Sequence, residues 1–317
     1  MADTLPTDAE ARVFIDGEAG TTGLEIRERL AAEPAVTVAS IAHDKRKDAK
    51  ARQALMADVD LVVLCLPDDA AVEAVALADA LGNRAPRIVD ASTAHRVADG
   101  WIYGFPELDA KQSEAIRTAR RVANPGCYPT GAIALVRPLI DAGLLPEAHP
   151  VTVNAVSGYS GGGRQMIEAY EVEKTAPAFE LYGLGLAHKH VPELQRYGRL
   201  TRRPMFVPSV GNFRQGMLVS IPLHLDALPG SPSPADVERA LADHYRSADL
   251  VRVVPSDERA SLGGRLDALA LNGTDKLEIF VFPDADGRQA LLVARLDNLG
   301  KGAAGAAVQN IRLMLGV

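Results

Sequence analysis

A short apolar run that passes straight into three evenly spaced glycines leaves a chain few ways to fold. Ala11-Arg12-Val13-Phe14-Ile15-Asp16 reads as a buried strand, and Gly17-Glu18-Ala19-Gly20-Thr21-Thr22-Gly23 as a turn. Leu24 to Ala32 then has the apolar spacing of a helix. The alternation continues: strands over Val36 to Ile41, Asp60 to Leu66, Arg87 to Asp90 and Arg121 to Asn124, with helices over Asp48 to Met56 and Ala70 to Leu81. Apolar strands separated by amphipathic helices pair in parallel, because each crossover returns the chain to the same end of the sheet. The fold class expected over roughly the first 125 residues is therefore α/β: a doubly wound, mostly parallel sheet of Rossmann type.

The second half has a different texture. Val151 to Ser157, Met217 to Leu225, Leu250 to Val254, Leu277 to Pro283 and Ala290 to Leu296 read as strands with longer, more varied separators. That predicts an α+β domain with a mixed sheet. Helices are expected over Ala235 to Tyr245 and Ala303 to Leu315. A length of 317 residues fits two domains at about 150 residues each.

Composition removes several classes. Two cysteines cannot build a disulfide framework or a four-cysteine zinc site. A net charge of -7 argues against a dedicated nucleic-acid binder. The first residues lack the basic and apolar regions of a signal peptide, and no run of apolar residues is long enough to span a bilayer. The expectation is a cytoplasmic protein with free thiols, no membrane or nucleic-acid partner, and a loose tail over its first ten residues.

The glycine turn is a G-x-x-G-x-x-G variant of the dinucleotide fingerprint. Glycine lets the backbone turn sharply and approach a pyrophosphate, while the following helix offers N–H groups and the positive end of its dipole. Gly17, Gly20, Thr21, Thr22 and Gly23 are the candidate contacts. The second strand ends Ser40-Ile41-Ala42-His43 and leads into Asp44-Lys45-Arg46-Lys47. Lys45 and Arg46 suit the 2′-phosphate of NADP better than NAD, whose ribose usually meets an acidic residue there. The competing reading of this cluster is a solvated charge run.

Asn124-Pro125-Gly126-Cys127-Tyr128-Pro129-Thr130 sets Cys127 at a strand-to-helix junction. A helix N-terminus favours the thiolate. Cys65, inside Val62-Val63-Leu64-Cys65-Leu66, reads instead as a small buried hydrophobe. A thiol nucleophile needs a base, and His188-Lys189-His190, followed by Glu193, offers imidazoles able to titrate near neutrality. No further ligands stand at recognisable spacing, so no metal is assigned. Ser157 to Arg164 and Asp90 to Arg96 add hydroxyls, N–H donors and the guanidinium groups of Arg164 and Arg96, chemistry that suits a phosphate or carboxylate.

In order and number these segments, together with Cys65-Leu66-Pro67-Asp68-Asp69-Ala70 and Asp297-Asn298-Leu299-Gly300-Lys301-Gly302-Ala303, resemble the short form of the N-acetyl-γ-glutamyl-phosphate reductase family, of the aspartate-semialdehyde dehydrogenase group. The resemblance runs from about Val13 to the C-terminus. It implies NADPH-dependent reduction of an acyl phosphate to a semialdehyde and phosphate through a thioester on Cys127, in arginine biosynthesis, with His190 as acid/base. It also implies that Pro67 and Asn298 join the cofactor site, with the glycine–lysine neighbours of Asn298 near the nicotinamide. Ser92, Arg96, Ser160, Arg164, His188 and Glu193 are implied around the substrate. The last helix is expected to return to the cofactor domain, giving residues 1–125 with 299–317 as the NADP-binding domain and 126–298 as the catalytic and dimerisation domain. A homodimer or homotetramer is implied. Related reductases of aspartyl or aminoadipyl phosphate, and a non-catalytic NADP-binding regulator, are the alternatives.

Overall fold

A computed structural model describes residues 10–317. The loose tail expected over the first ten residues therefore lies outside the described residues, except for its last member. The chain forms two compact units. One runs to Pro106 and adds Ala110–Pro125 and Ala303–Val317, and the other comprises Glu107–Asp109 and Gly126–Gly302.

The first unit is built from β1 (Ala11–Asp16), α1 (Thr21–Leu30), β2 (Val36–Ala39), α2 (Ala49–Met56), β3 (Leu61–Leu64), α3 (Asp68–Asp79), β4 (Arg87–Asp90), β5 (Ile102–Tyr103), α4 (Gln112–Thr118), β6 (Arg121–Ala123) and the C-terminal helix Gly305–Leu315. Its sheet has the order β2-β1-β3-β4-β6-β5, and every pairing is parallel. Val13 stands opposite Val38 on one side and Leu61 on the other. Side chains alternate across the sheet, so Val13 and Ile15 pack with Ile26 and Leu30 of α1, Ile116 of α4 and Ile311 of the C-terminal helix. Phe14 faces the opposite way, onto Met56 of α2 and Ala71, Ala74 and Ala78 of α3. Small alanines let α3 lie close to the strands. Phe14 is fully buried, and truncating such a side chain to alanine costs about 3–5 kcal/mol.

The second unit carries α5 (Cys127–Asp141), β7 (Thr152–Gly158), α6 (Gly163–Glu168), β8 (Phe179–Leu181), α7 (Val191–Tyr197), β9 (Met205–Gly211), β10 (Met217–His224), α8 (Pro234–His244), β11 (Val251–Val253), α9 (Ser256–Ala260), β12 (Leu277–Pro283) and β13 (Gln289–Leu296). Its sheet order is β11-β12-β13-β10-β7-β9-β8. Parallel pairs join β11 to β12 and β7 to β9, and the remaining pairs are antiparallel. Alternation along β10 buries Met217, Val219, Ile221 and Leu223 on the face packed by α5. The opposite face, with Leu218, Ser220, Val293 and Leu291, opens onto an apolar groove of about 760 Å³. Among the described residues no helix is long and apolar enough to cross a membrane.

Several elements differ from the sequence expectation. The turn after β1 is shorter than the glycine pattern, because α1 already begins at Thr21. β3 ends at Leu64, before Cys65. β9 has no counterpart among the strands expected from the sequence; it contains Pro208 and keeps a parallel register with β7 along its length. The boundary between units falls after Gly302 rather than after Asn298. Leu299 N–H donates to Asp297 Oδ1 at 2.9 Å and Gly302 N–H to the Asp297 carbonyl at 3.0 Å. Lys301 Nζ lies 2.8 Å from both carboxylate oxygens of Glu107, which ties residues 107–109 to this unit as well.

Candidate active site

In the first unit the strand order reverses between β1 and β3, so the loops leaving these two strands meet at the switch point of the sheet. Gly17 has φ +94°, and a Cβ there would stand 2.3 Å from the Cys65 carbonyl oxygen. Only glycine lets the two loops lie back to back. Gly20 caps α1 with no side-chain hydrogen bond, and no acidic residue stands in the first turn. Thr21, Thr22 and Gly23 form that turn, so its N–H end is left for an external anion. The arrangement fits the pyrophosphate of a dinucleotide. Pro67 caps α3. Lys45 and Arg46 are exposed in the loop after β2.

The loop after β4 is organised by Asp90, which is fully buried. Its carboxylate accepts from Ser92 N–H and Ser92 Oγ at 2.9 and 2.7 Å, and lies 2.6 Å from His95 Nδ1. His95 stacks on Trp101 with ring centroids 4.3 Å apart. Arg96 is buried, and its guanidinium donates to the carbonyls of Asn124 and Ala91 at 3.1 and 3.2 Å. Burial, with Asp90 and Asp16 nearby, pushes the Cys65 thiol up to about 12.

In the second unit Cys127 is the first residue of α5, capped by Gly126 in extended backbone. Most of α5 is buried and apolar, so the thiol sits at the partly accessible end of an otherwise buried rod. Three contacts fix that end. Gly126 N–H donates to Glu193 Oε2 at 3.1 Å, and Glu193 is only 1% exposed. Thr130 Oγ1 donates to the Gly126 carbonyl at 2.9 Å. A Cβ on Gly302 would come within 2.9 Å of Cys127 Cβ, so the residue opposite the cysteine must be glycine for the two backbones to approach this closely.

His190 caps α7 and is buried. Its backbone N–H donates to His188 Nδ1 at 3.1 Å, and the two rings stand edge to face at 4.6 Å. Tyr128, next to the cysteine, lies 5.9 Å from the His190 ring and 6.2 Å from that of His188. Tyr182 Oη donates to Tyr128 Oη, which donates to the Ser209 carbonyl, each at 3.0 Å. Burial drives both phenols up, Tyr182 to about 12. Both therefore stay protonated across the neutral range.

The glycine-rich segment after β7 divides. Ser160 is buried, and its Oγ accepts from Asn298 Nδ2 at 2.9 Å; Asn298 Oδ1 accepts from Gly216 N–H at 2.8 Å. The Asn298 amide thus ties the end of β13 to two other loops. Arg164 lies on the short surface helix α6, is 84% exposed and pairs with Glu168 at 2.7 Å. Lys301, expected near a nicotinamide, is instead 1% exposed and turned to Glu107, where its charge is satisfied. Tyr182 is the site residue that the sequence does not single out. Nothing local distinguishes it, whereas the Gly-Lys-Gly run around Gly302 is expected near the nicotinamide, and the sequence does not foretell its close approach to Cys127.

Residues 12–116 match the family profile described as "Semialdehyde dehydrogenase, NAD binding domain", and residues 127–298 that described as "Semialdehyde dehydrogenase, dimerisation domain". The N-acetyl-gamma-glutamyl-phosphate reductase of Rhizobium meliloti (strain 1021) is 55% identical over 309 residues, covering 96% of this chain and 98% of that protein. That of Brucella ovis is 56% identical over 310 residues, 96% and 99% of the two chains. Among solved structures, aspartate semialdehyde dehydrogenase II of Vibrio cholerae superposes with a TM-score of 0.70 at 16% identity, over 98% of this chain and 99% of that one. The last likeness is one of fold alone. The chain belongs to the semialdehyde dehydrogenase family, within the group of the N-acetyl-γ-glutamyl-phosphate reductases.

Proposed function

We propose that the protein reduces N-acetyl-γ-glutamyl phosphate to N-acetylglutamate 5-semialdehyde and phosphate, with NADPH as reductant, in arginine biosynthesis. The observation that carries the reading is Cys127 at the first position of a buried helix, next in the chain to Tyr128, whose ring lies 6.2 Å from His188 and 5.9 Å from His190. The helix dipole and the first-turn N–H groups favour a thiolate there.

The Cys127 sulfur attacks the γ-carbonyl carbon, the bond from that carbon to the phosphate oxygen breaks, and inorganic phosphate leaves a thioester on Cys127. NADPH, when bound, supplies the hydride that takes the thioester carbon to the oxidation level of the aldehyde. His190 gives a proton to the oxygen of the resulting hemithioacetal and takes it back as the carbon–sulfur bond breaks. The aldehyde leaves and Cys127 regains its thiolate. Gly17, Gly20, Thr21, Thr22 and Gly23 hold the pyrophosphate, and Pro67 borders the same loop region. Arg96, with Ser92 beside it, is preset by two carbonyl contacts to take an anionic group of the substrate. Ser160 and Asn298 shape the glycine loop on the thiol's own unit. Glu193 acts on Cys127 through Gly126, as a positioning residue. Arg164, solvated and paired with Glu168, would have to leave that pair to reach a substrate anion.

The open face of the second unit's sheet, with Phe179, Leu181 and Leu291 exposed beside its apolar groove, supports assembly with a second copy of the chain. The cytoplasm is the proposed location.

The test runs the reaction backwards, because the acyl phosphate is unstable. NADP reduction is followed with N-acetylglutamate semialdehyde and phosphate, for the native protein and Cys127→Ser, with NAD and aspartate semialdehyde as controls. Phosphate-dependent turnover abolished in the variant is the expected result. Turnover on aspartate semialdehyde alone would keep the thioester and discard the substrate.

A further inference from the structure

At the C-terminal end of β2, the place where a ribose 2′ position is read in this fold, the residue following Ala39 is Ser40. Its hydroxyl is the centre of a three-residue network. Ser40 Oγ donates to Glu18 Oε2 at 3.0 Å and accepts from Arg27 Nη1 at 2.6 Å, and the same Arg27 nitrogen pairs with Glu18 Oε2. Glu18 comes from the glycine turn and Arg27 from the second turn of α1. An acidic and a basic side chain thus share one serine at the position that separates the two cofactors. Lys45 and Arg46, the basic pair conspicuous in the sequence, lie exposed in the loop beyond.

We propose that Glu18, Arg27 and Ser40 set the cofactor preference by opposition. Arg27 pairs with the 2′-phosphate of NADP, for which a guanidinium has matching geometry. Glu18 accepts the 2′-hydroxyl of NAD. In the free protein the two hold each other. A 2′-phosphate must take Arg27 from Glu18 and then sit beside a carboxylate of like charge, so Glu18 limits the preference that Arg27 creates. Ser40 donates to whichever acceptor is present. The inference rests on the dinucleotide reading of this unit, and it makes the effects of two neighbouring residues opposite in sign.

The experiment measures Kd for NADPH and for NADH by calorimetry on the native protein, Arg27→Ala, Glu18→Gln and the double variant Lys45→Ala/Arg46→Ala. Arg27→Ala is expected to weaken NADPH about tenfold or more while NADH stays within about twofold, the loss of one charge-assisted contact. Glu18→Gln is expected to tighten NADPH and weaken NADH. The unchanged NADH affinity of Arg27→Ala is its own control for folding. The assignment is overturned if Arg27→Ala leaves NADPH unchanged, if it weakens both nucleotides equally, or if Lys45→Ala/Arg46→Ala takes the larger loss. Native protein that binds neither nucleotide overturns the dinucleotide reading itself, and this inference with it.

Discussion

Glu193 Oε2 accepts the Gly126 backbone N–H at 3.1 Å, so the residue capping the cysteine-bearing helix is held by a buried carboxylate from α7. His190 caps that same α7. One short helix therefore sets both the thiol's helix end and the imidazole's position. Removing the acceptor leaves a buried N–H unsatisfied, which costs about 1–3 kcal/mol. Glu193→Ala should lower kcat by up to about a hundredfold with little change in KM, as expected when reacting groups are misplaced rather than lost. Glu193→Gln keeps an oxygen acceptor and should retain most of the turnover. Steady-state kinetics and thermal melting of both variants check this. Equal, native-like turnover in the two would remove Glu193 from the positioning of Cys127.

The two histidines are not equivalent. His188 Nδ1 already accepts the His190 N–H, which commits one ring nitrogen of His188 to holding the turn. His190→Asn should lower kcat about a hundredfold or more, within the range general acid–base catalysis contributes. His188→Asn should cost less turnover and more stability. The pH profile of kcat should lose one limb in the His190 variant only. If instead the limb vanishes in His188→Asn, the acid/base assignment passes to His188.

Much of this architecture is legible along the chain because it is written in short-range pattern. β1, the glycine turn and α1 follow one another within one run, and the strand period is uninterrupted. What is not legible depends on distance in sequence. Ser160 and Asn298 are each conspicuous, but the hydrogen bond joining them spans 138 positions. Arg27 carries no local sign of its link to Ser40, since nothing in a helix surface predicts which strand end an arginine reaches. Lys45 and Arg46 draw the eye as a cluster, and clustering alone says nothing about where a flexible side chain points. β9 carries no distinct alternation in its sequence and lacks the N–H of Pro208; what makes it a strand is its parallel pairing with β7, about fifty positions earlier.

The two cysteines should separate cleanly in reactivity. The Cys65 thiol is pushed up to about 12 by burial and by the carboxylates of Asp90 and Asp16. Against an ordinary thiol near 9.0, that leaves about a thousandfold less thiolate at neutral pH. Cys127, at a helix N-terminus, has the environment that favours thiolate. Iodoacetamide at pH 7 should therefore label the Cys127 peptide while leaving the Cys65 peptide intact, as read by mass spectrometry over time. Turnover should fall in step with Cys127 labelling. Comparable labelling of both cysteines would remove the distinction on which the nucleophile assignment depends.

The acid stability of the second unit should depend on one cross-strand carboxylate. Glu278 of β12 stands opposite Arg295 of β13 and Arg252 of β11 in the registers of the sheet. Arg295 Nη2 lies 2.6 Å from its Oε2, and Arg252 Nη2 lies 2.8 Å from its Oε1. Burial alone would raise the Glu278 carboxyl, but the hydrogen bonds from Arg295 and Arg252 outweigh it and hold the group below its ordinary value of 4.5. A depressed carboxylate contributes stability that is fully present above the unfolded-state value and is lost as pH falls through the folded one. Glu278→Gln should accordingly lower stability by about 1–3 kcal/mol at pH 7, the range for hydrogen bonds to charged groups. The gap between native protein and variant should then close as the pH falls below about 4.5, because protonation removes in the native protein what the substitution removes at every pH. Denaturant melts at intervals from pH 7 downward measure that gap. A gap that stays constant into the acid would mean that packing of the glutamate stem, and not its charge, holds β11, β12 and β13 together at this point.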